Sequence, residues 1–453
     1  MISAPAIRRA AATARALLPL AVGPTMRMTC AGLTRSGCTL FPMALSRIDQ
    51  TAVAGKRVFI RADFNVPQED DGRISDDRRI RLTIPTIESV LQRGGSVILA
   101  SHLGRPEGNG HEAAFSMAPI AARLRELSPR LVGLRLVGSR CTDAEAAAAA
   151  RALKAGEVVL LENLRFEAGE KKGDASLAAH LASMADVYCN DAFGASHRRD
   201  ASMHALPHAF RASGKPAVTG LLLDREIRFL HGVLERPDHP FVAIIGGAKV
   251  SDKLAALRNL IGRVDSILVG GAMAYTFLKA QGVEVGRSRV QEDMLAQARE
   301  ILQLAAGGRT RIELPTDHVC GAELKEGVAT QIAVGAIATD QMGLDIGPAT
   351  AARYSKIVEA ARTIVWNGPL GAFEWKPFDA GTATVAAAVV RATKAGATSV
   401  AGGGDTAAAV DANGHAAGFS HISTGGGASL EMLEGKSFEC LEAIDQHAEP
   451  SYS

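Results

Sequence analysis

The sequence is poor in aromatics, at 4 % of 453 residues with 2 Trp, and it has almost no surplus of charge, 50 Lys and Arg standing against 48 Asp and Glu. A net charge of +2 excludes a general attraction to nucleic acid or to a membrane surface. No window is long and apolar enough to span a bilayer. Cysteine is sparse and scattered, at Cys30, Cys38, Cys141, Cys189, Cys320 and Cys440. No pair has CxxC spacing, and no His/Cys cluster is spaced like a zinc site. Free thiols in a reducing compartment are the simplest reading. Short-period repeats are missing, and the only biased tract is "AEAAAAARALKAG", a plain alanine-rich helix.

Acids are missing from one place. Residues 1–48 hold Arg8, Arg9, Arg15, Arg27, Arg35 and Arg47 but no Asp or Glu. An Ala/Arg-rich, acid-free leader is what an organellar transit peptide looks like. A non-native start accounts for it equally well. Met43 opens "MALSRIDQ", which runs into the first strand pattern, and GC-rich upstream sequence translated by mistake is also rich in Ala and Arg. Residues 1–42 are therefore an N-terminal extension outside the fold. The compartment is expected to be the cytoplasm, or the mitochondrion or plastid if the extension is a transit peptide.

What is present is a globular composition, 47 % apolar and 22 % charged, in a chain too long for one ordinary core. Short apolar runs alternate with helical patterns, which predicts parallel sheets with crossover helices. The first half offers "KRVFIRAD", "SVILASH", "GEVVLLEN" and "DVYCND". The second offers "FVAIIGG", "SILVGG", "IELPTDHV", "TIVWNG", "TSVAGGGD" and a short "HIST". Between them Gly214 and Pro216 break the chain. "GLLLDREIRFLHGVLER" then has helical spacing, and Pro237 and Pro240 close it. The expected fold is α/β: two Rossmann-like lobes, each a parallel sheet flanked by helices, joined by an interdomain helix and hinge. The boundaries are 43–215, 216–236 for the helix, and 237–436.

Nearly every strand pattern ends in a polar or glycine-rich loop, and ligands bind at the carboxyl ends of such strands. The first half puts arginines there. Arg61, Asp63 and Asn65 lie in "RADFNVP", Arg79 in "DDRRI", His102 and Arg105 in "SHLGRP", Arg165 in "LENLRF" and Arg198 in "SHRRD". Any one of them is read most simply as a solvated charge. Their recurrence at successive strand ends points to one small, multiply anionic ligand held by guanidinium forks. Asp63 and Asn65 either cap a turn or accept from a ligand hydroxyl.

The second half puts glycines at its strand ends. "GGAKVSDK" carries Lys249 and Lys253, with Ser251 and Asp252 as helix-cap candidates, and "GGGDTAAAV" and "STGGGASLEML" run from glycines straight into helices. Backbone N–H groups at a helix start suit phosphate, although each run alone is also an ordinary strand-to-helix turn. A Walker A loop is excluded, because position 430 is Leu where GxxxxGK requires Gly. Gly402 to Ala407 fits GxGxxA, but no acid follows at the end of the next strand, so a dinucleotide site is excluded. The acid is Asp405, inside the loop. It either caps the helix or holds Mg²⁺ between itself and nucleotide phosphates.

Together "RADFNVP", "SHLGRP", "LENLRF", "NDAFG", "GGAKVSDK", "WNGP", "FEW", "GGGDTA" and "STGGGASLEMLEGK", with Met432 in place of Leu, resemble the phosphoglycerate kinase family over roughly residues 43–436. The resemblance implies reversible transfer of the acyl phosphate of 1,3-bisphosphoglycerate to MgADP, giving 3-phosphoglycerate and ATP, in a cytoplasmic monomer. It implies that Asp63 and Asn65 contact the glycerate end, and that His102, Arg105, Arg165 and Arg198 hold its phosphate. Arg79 would face the moving phosphoryl group. Lys249 and Lys253 would touch nucleotide phosphates, Gly270 and Gly271 flank adenine, and Glu374 bind the ribose. Asp405 would hold Mg²⁺ beside Gly403, Gly404 and Thr406, while Gly425, Gly426 and Gly427 offer amides to the transferring group. The tail 437–453 would pack back on the first lobe.

Three departures stand out. Arg78 replaces the Thr usual before the arginine. Arg199 and Asp200 follow Arg198 where the family has Ala and then His or a similar residue. The tail "SFECLEAIDQHAEPSYS" lacks the usual Leu-Pro-Gly stretch. The other class in view is a non-catalytic two-lobed nucleotide- and anion-binding pseudoenzyme.

Overall fold

Runs such as "RVFIRA" and "FVAII" are buried on both faces, an environment that the interior of a parallel α/β sheet provides. The computed structural model describes residues 45–444. The extension 1–42, Met43, Cys30, Cys38 and the tail beyond 444 lie outside the described residues. The first sheet holds β1 (Arg57–Ala62), β2 (Ser96–Ala100), β3 (Arg135–Val137), β4 (Val158–Leu161), β5 (Val187–Asp191) and β6 (Ala217–Thr219). Their order is β3-β4-β2-β1-β5-β6, and every pair is parallel.

The second sheet repeats the plan with β7 (Phe241–Ile245), β8 (Ser266–Val269) and β9 (Arg311–Glu313), then, after β10 (Asp317–Gly321), β11 (Thr330–Val334) and β12 (Met342–Ile346), with β13 (Thr363–Asn367), β14 (Thr398–Gly402) and β15 (His421–Ile422). Its order is β15-β14-β13-β7-β8-β9, again all parallel. The expected strand "IELPTDHV" is two strands. Arg311–Glu313 pairs with β8, whereas Asp317–Gly321 leaves to centre a small antiparallel sheet, β11-β10-β12. Pro315 lies between them and cannot donate to a ladder, which fits a break there.

Alternate residues of each strand face opposite cores. Val58, Ile60, Val97 and Leu99 fill one face of the first sheet. Val242, Ile244, Ile364 and Trp366 fill the far face of the second. The remaining faces share a continuous core, in which Phe59 and Ile98 from one sheet and Ala243 and Val269 from the other are joined through Leu223, Ile227, Leu230 and Val233. Those four belong to the helix Leu221–Glu235, so the connecting segment is itself core. Beyond the second lobe, residues 438–444 lie on first-lobe residues. Phe438 packs 6.0 Å from Phe193, and the Cys440 thiol donates to Ser196 O at 3.0 Å. No helix among the described residues is long and apolar enough to cross a membrane.

The connecting helix is capped from outside itself. Asp191, at the end of β5, accepts from Leu222 N at 2.9 Å and Leu223 N at 3.0 Å. Burial pushes its carboxyl up to about 7, against the pull of the Thr86 hydroxyl and the two N–H groups. An acid with a raised folded-state pKa is protonated in the native protein at pH values where the unfolded chain has lost the proton. Its contribution to stability therefore declines as pH climbs from about 4 to about 7 and is constant above. Asp191→Asn keeps a cap acceptor without the charge. The melting temperature of the parent relative to this variant should drop across that window and then level; a pH-independent difference would overturn the assignment.

Candidate active site

In such sheets the strand ends share one rim, and a crevice opens where the strand order reverses. In the first sheet that point lies between β1 and β5. Asp63 and Asn65 sit on the β1 loop, and Asp63 Oδ1 accepts from Asn65 N at 3.3 Å, an Asx turn. Asn65 Oδ1 accepts from Gly104 N at 2.8 Å and ties the β1 loop to the β2 loop. Arg79, in the first turn of the helix Arg78–Gln92, donates to Asn65 O at 2.9 Å and lies 3.2 Å from Asp63 Oδ2.

His102 is the centre of the basic cluster. Its Nδ1 lies 3.2 Å from Arg61 Nη2, and its Nε2 lies 3.2 Å from Arg198 Nη1. A neutral imidazole accepts one hydrogen bond only, so one of these contacts sets donor against donor. Burial first, then Arg61, Arg165, Arg198 and Arg79, hold His102 well below its ordinary pKa. Arg165 donates to Gly104 O at 2.8 Å, and burial and Arg198 lower its pKa too. Arg61 is fully buried and donates to the Ser202 hydroxyl at 2.8 Å, which donates in turn to Glu170 at 2.5 Å. Guanidinium groups crowded in this way favour an anion between them.

In the second sheet the reversal lies between β7 and β13. The loops there pack backbone on backbone. Gly271 has φ +65°, and a Cβ on it would stand 2.5 Å from Gly247 N, so glycine is required. Lys253 Nζ donates to Asn367 Oδ1, and Asn367 Nδ2 donates to Gly402 O at 2.8 Å. Burial lowers the Lys253 pKa, against the pull of Asp252 and Asp405. Thr406 Oγ1 donates to Gly402 O at 2.8 Å and accepts from Gly368 N at 2.7 Å, joining the β13 and β14 loops. Asp405 lies exposed in the first turn of the helix Gly404–Ala412, and no side chain caps that helix. Ser251 and Asp252 do not cap either: the helix Leu254–Leu260 starts from Lys253, and Ser251 Oγ bonds Asp252 in an exposed turn.

The two rims meet at Thr424. Arg79 Nη2 donates to Thr424 O at 3.0 Å. Thr424 N and Oγ1 both donate to Glu226 Oε1 at 2.8 Å, and His421 Nε2 lies 2.7 Å from Glu226 Oε2. Glu226 belongs to the connecting helix. Beside it, a Cβ on Gly425 would overlap the Phe193 ring at 2.3 Å, so the lobes touch where only glycine fits. Arg78 reaches across to Asp411 at 3.8 Å.

Asp63, Asn65, Arg79, His102, Arg165 and Arg198 thus converge. Arg105, Lys249 and Glu374 are exposed. Gly270 and Gly271 pack against Leu370 and Gly247. Gly403 and Gly426 stand as the residues before helices, Gly404 and Gly427 as the first residues in them. Arg61, named among the strand-end arginines, joins the site from within the core, and Glu170, His197, Ser202, Glu226, Asn367 and Thr424 join it without having been singled out for it. His197 sits about 4.0 Å from where a Cβ of Gly427 would lie. Its place before Arg198 in "SHRRD" and the place of Asn367 in "WNGP" were usable signals. Glu226 was marked by being a charge on an apolar helix stripe. Ser202 and Glu170 carried none.

A guanidinium-rich rim and a glycine-and-lysine rim, meeting at one backbone carbonyl, define a two-lobed phosphoryl-transfer enzyme. The comparisons give the family. The phosphoglycerate kinase family model matches residues 48–436, and the chain belongs to that family. It is 49 % identical over 407 residues to a phosphoglycerate kinase of Rhodopirellula baltica, covering 89 % of this chain and 100 % of that one. It is likewise 49 % identical over 405 residues to one of Moorella thermoacetica, with the same coverage. The solved phosphoglycerate kinase of Coxiella burnetii superposes with a TM-score of 0.80 at 37 % identity, over 89 % of this chain and 100 % of that one. That of Pyrococcus horikoshii OT3 gives 0.76 at 30 %, with the same coverage. The α/β fold of two parallel-sheet lobes is that of these structures, and nothing in the matches supports a non-catalytic pseudoenzyme. The family uses Mg²⁺ as MgADP or MgATP.

One buried acid holds the start of the helix that follows Glu374. Asp345 accepts from Gly381 N at 2.7 Å and Ile346 N at 2.8 Å, and burial pushes its carboxyl up to about 8. Asp345→Ala should raise the KM for MgATP about tenfold, the scale of one lost buried bond, while the KM for 3-phosphoglycerate changes little. Initial-rate kinetics check it; equal changes in both constants would refute it.

Proposed function

We propose that the chain catalyses reversible phosphoryl transfer between 1,3-bisphosphoglycerate and MgADP with its two rims in separate roles. The observation that carries this is His102 wedged between Arg61 and Arg198 with Arg165 alongside, guanidinium groups crowded at the strand ends. There Arg165, Arg198, His102 and Arg105 hold the phosphate of the three-carbon acid. Asp63 and Asn65 bind its glycerate end, which bears the hydroxyl that a carboxylate can accept from.

The other rim takes the nucleotide. Gly270 and Gly271 flank adenine, Glu374 binds the ribose, and Lys249, Gly403, Gly404 and Thr406 surround the phosphates. Asp405 fits a magnesium role: it is exposed among helix N-terminal amides and, among the described residues, has no hydrogen bond or ion pair of its own. Mg²⁺ there neutralises phosphate charge. Lys253 is held by Asn367 until phosphate replaces that contact, and burial lowers the cost of the exchange by leaving its charge poorly solvated.

Phosphoryl transfer asks the protein for alignment and charge neutralisation more than for covalent chemistry. The attacking oxygen in the ATP-forming direction is already an ionised phosphate, so no general base is required. Arg79 is placed at the junction. Its guanidinium faces both Asn65 O and Thr424 O, and it can turn from those carbonyls to the charge that develops in flight, beside the amides of Gly425, Gly426 and Gly427. Residues 43–215 and 237–436 are the two lobes, 216–236 their connector, and the described part of the tail, 437–444, rests on the first. The enzyme works as a cytoplasmic monomer.

A coupled assay with 3-phosphoglycerate and MgATP should show turnover; a folded protein without it would refute the reading. Arg79→Ala should lower kcat about a hundredfold or more with a modest change in KM, the pattern of a contact made in the transition state. Equal loss in both would move Arg79 to ground-state binding.

A further inference from the structure

Two carboxylates stand behind the arginine cluster, and they are treated differently. Glu170 is satisfied, accepting from the Ser202 hydroxyl at 2.5 Å and from Ser202 N at 3.0 Å. Asp200 is 6 % exposed, yet its Oδ2 accepts no hydrogen bond. Its closest cation is Arg165 Nη2 at 3.8 Å, too far for a hydrogen bond. Arg165 in turn keeps Nε buried and unpartnered. A buried ion pair normally closes, because open polar atoms are costly on both sides. This one is open: Arg165 Nη1 bonds Gly104 O at 2.8 Å instead, and the Asp200 backbone is anchored in the turn that follows, its carbonyl accepting from Met203 N and His204 N, both at 2.9 Å.

The neighbouring departure behaves otherwise. Arg199 is exposed and pairs with Glu439 at 3.1 Å, outside the pocket. The inward-facing change is the acid.

We propose that Asp200 is a positioning residue that tempers the pocket's grip on the phosphate of the three-carbon acid, by opposing that phosphate electrostatically and by offsetting the Arg165 charge. The proposal rests on the reading of this pocket as the acid's site. A negative charge next to a doubly charged phosphate raises its dissociation constant. Asp200 also offsets part of the Arg165 charge that would otherwise act on the phosphate. Affinity is traded for release, and the trade concerns binding of this substrate rather than the chemical step.

Asp200→Asn tests it, since Asn keeps the shape and the backbone bonds of the following turn. The KM for 3-phosphoglycerate should fall about three- to tenfold, the scale of one partly screened charge, with kcat unchanged or lower. Inorganic sulfate, as an anion probe of the pocket, should inhibit at correspondingly lower concentration. The KM for MgATP should not move. A merely structural role predicts the opposite sign, a higher KM with a lower melting temperature. A KM for 3-phosphoglycerate that is unchanged or higher in the folded variant overturns the proposal. If the Asn protein does not fold, Asp200→Ser also removes the charge and is judged by the same sign. Arg165→Ala separates this idea from the reading beneath it. Normal 3-phosphoglycerate binding in Arg165→Ala sinks the pocket assignment itself; impaired binding there, with no gain in Asp200→Asn, sinks only the role of Asp200.

Discussion

Glu226 sits wholly buried on the helix between the lobes, and a buried carboxylate without partners costs several kcal/mol. Its oxygens are met by Thr424 N, the Thr424 hydroxyl and His421, all from the second lobe. Pulling the Thr424 loop away would strand that charge, so the loop is held to the connecting helix. The Thr424 carbonyl is then available to Arg79 from the first lobe. The catalytic junction thus depends on a polar contact outside either substrate pocket. Phe229 reinforces it by stacking on the His421 ring at 4.9 Å with nearly parallel planes.

The two rims solve different electrostatic problems. The first gathers guanidinium groups against one another and keeps His102 neutral among them, so the pocket is strained toward an anion. The second holds one half-buried lysine on an amide oxygen and otherwise relies on backbone N–H groups, which carry no net charge to repel each other. Such a division suits a reaction in which both reactants are anionic. Repulsion between them is met by fixed positive potential on either side.

Much of this was legible in the sequence because it lay in loops at strand ends. The arginines recur at equivalent positions, and the glycine runs enter helices at once. Strand patterns with both faces buried were also plain. The small antiparallel sheet was not, because β11 is largely exposed and carries no strong apolar pattern. The "IELPTDHV" run concealed a change of sheet, since periodicity says nothing of which neighbour a strand finds. Ser202 and Glu170 were invisible for another reason. Each is an ordinary polar residue whose meaning comes from Arg61: Ser202 meets it across 141 positions of chain, and Glu170 is reached through Ser202. Asp200 was visible as a departure, but only its burial beside Arg165 showed which way it points.

The polypeptide passes between the lobes twice. It goes out along the helix Leu221–Glu235, and it comes back after the helix Gly427–Leu433, where Asn259 of the second lobe holds Leu433 O at 2.7 Å before Phe438 and Cys440 seat on the first. One strap would allow the halves to swing and twist in any direction. Two straps, like a pair of pins on a door, leave one inexpensive degree of freedom, a swing about the line that joins them. Were the rims to part, they would return along that line, and the seat of Arg79 on Thr424 O would be recovered by the wiring of the chain.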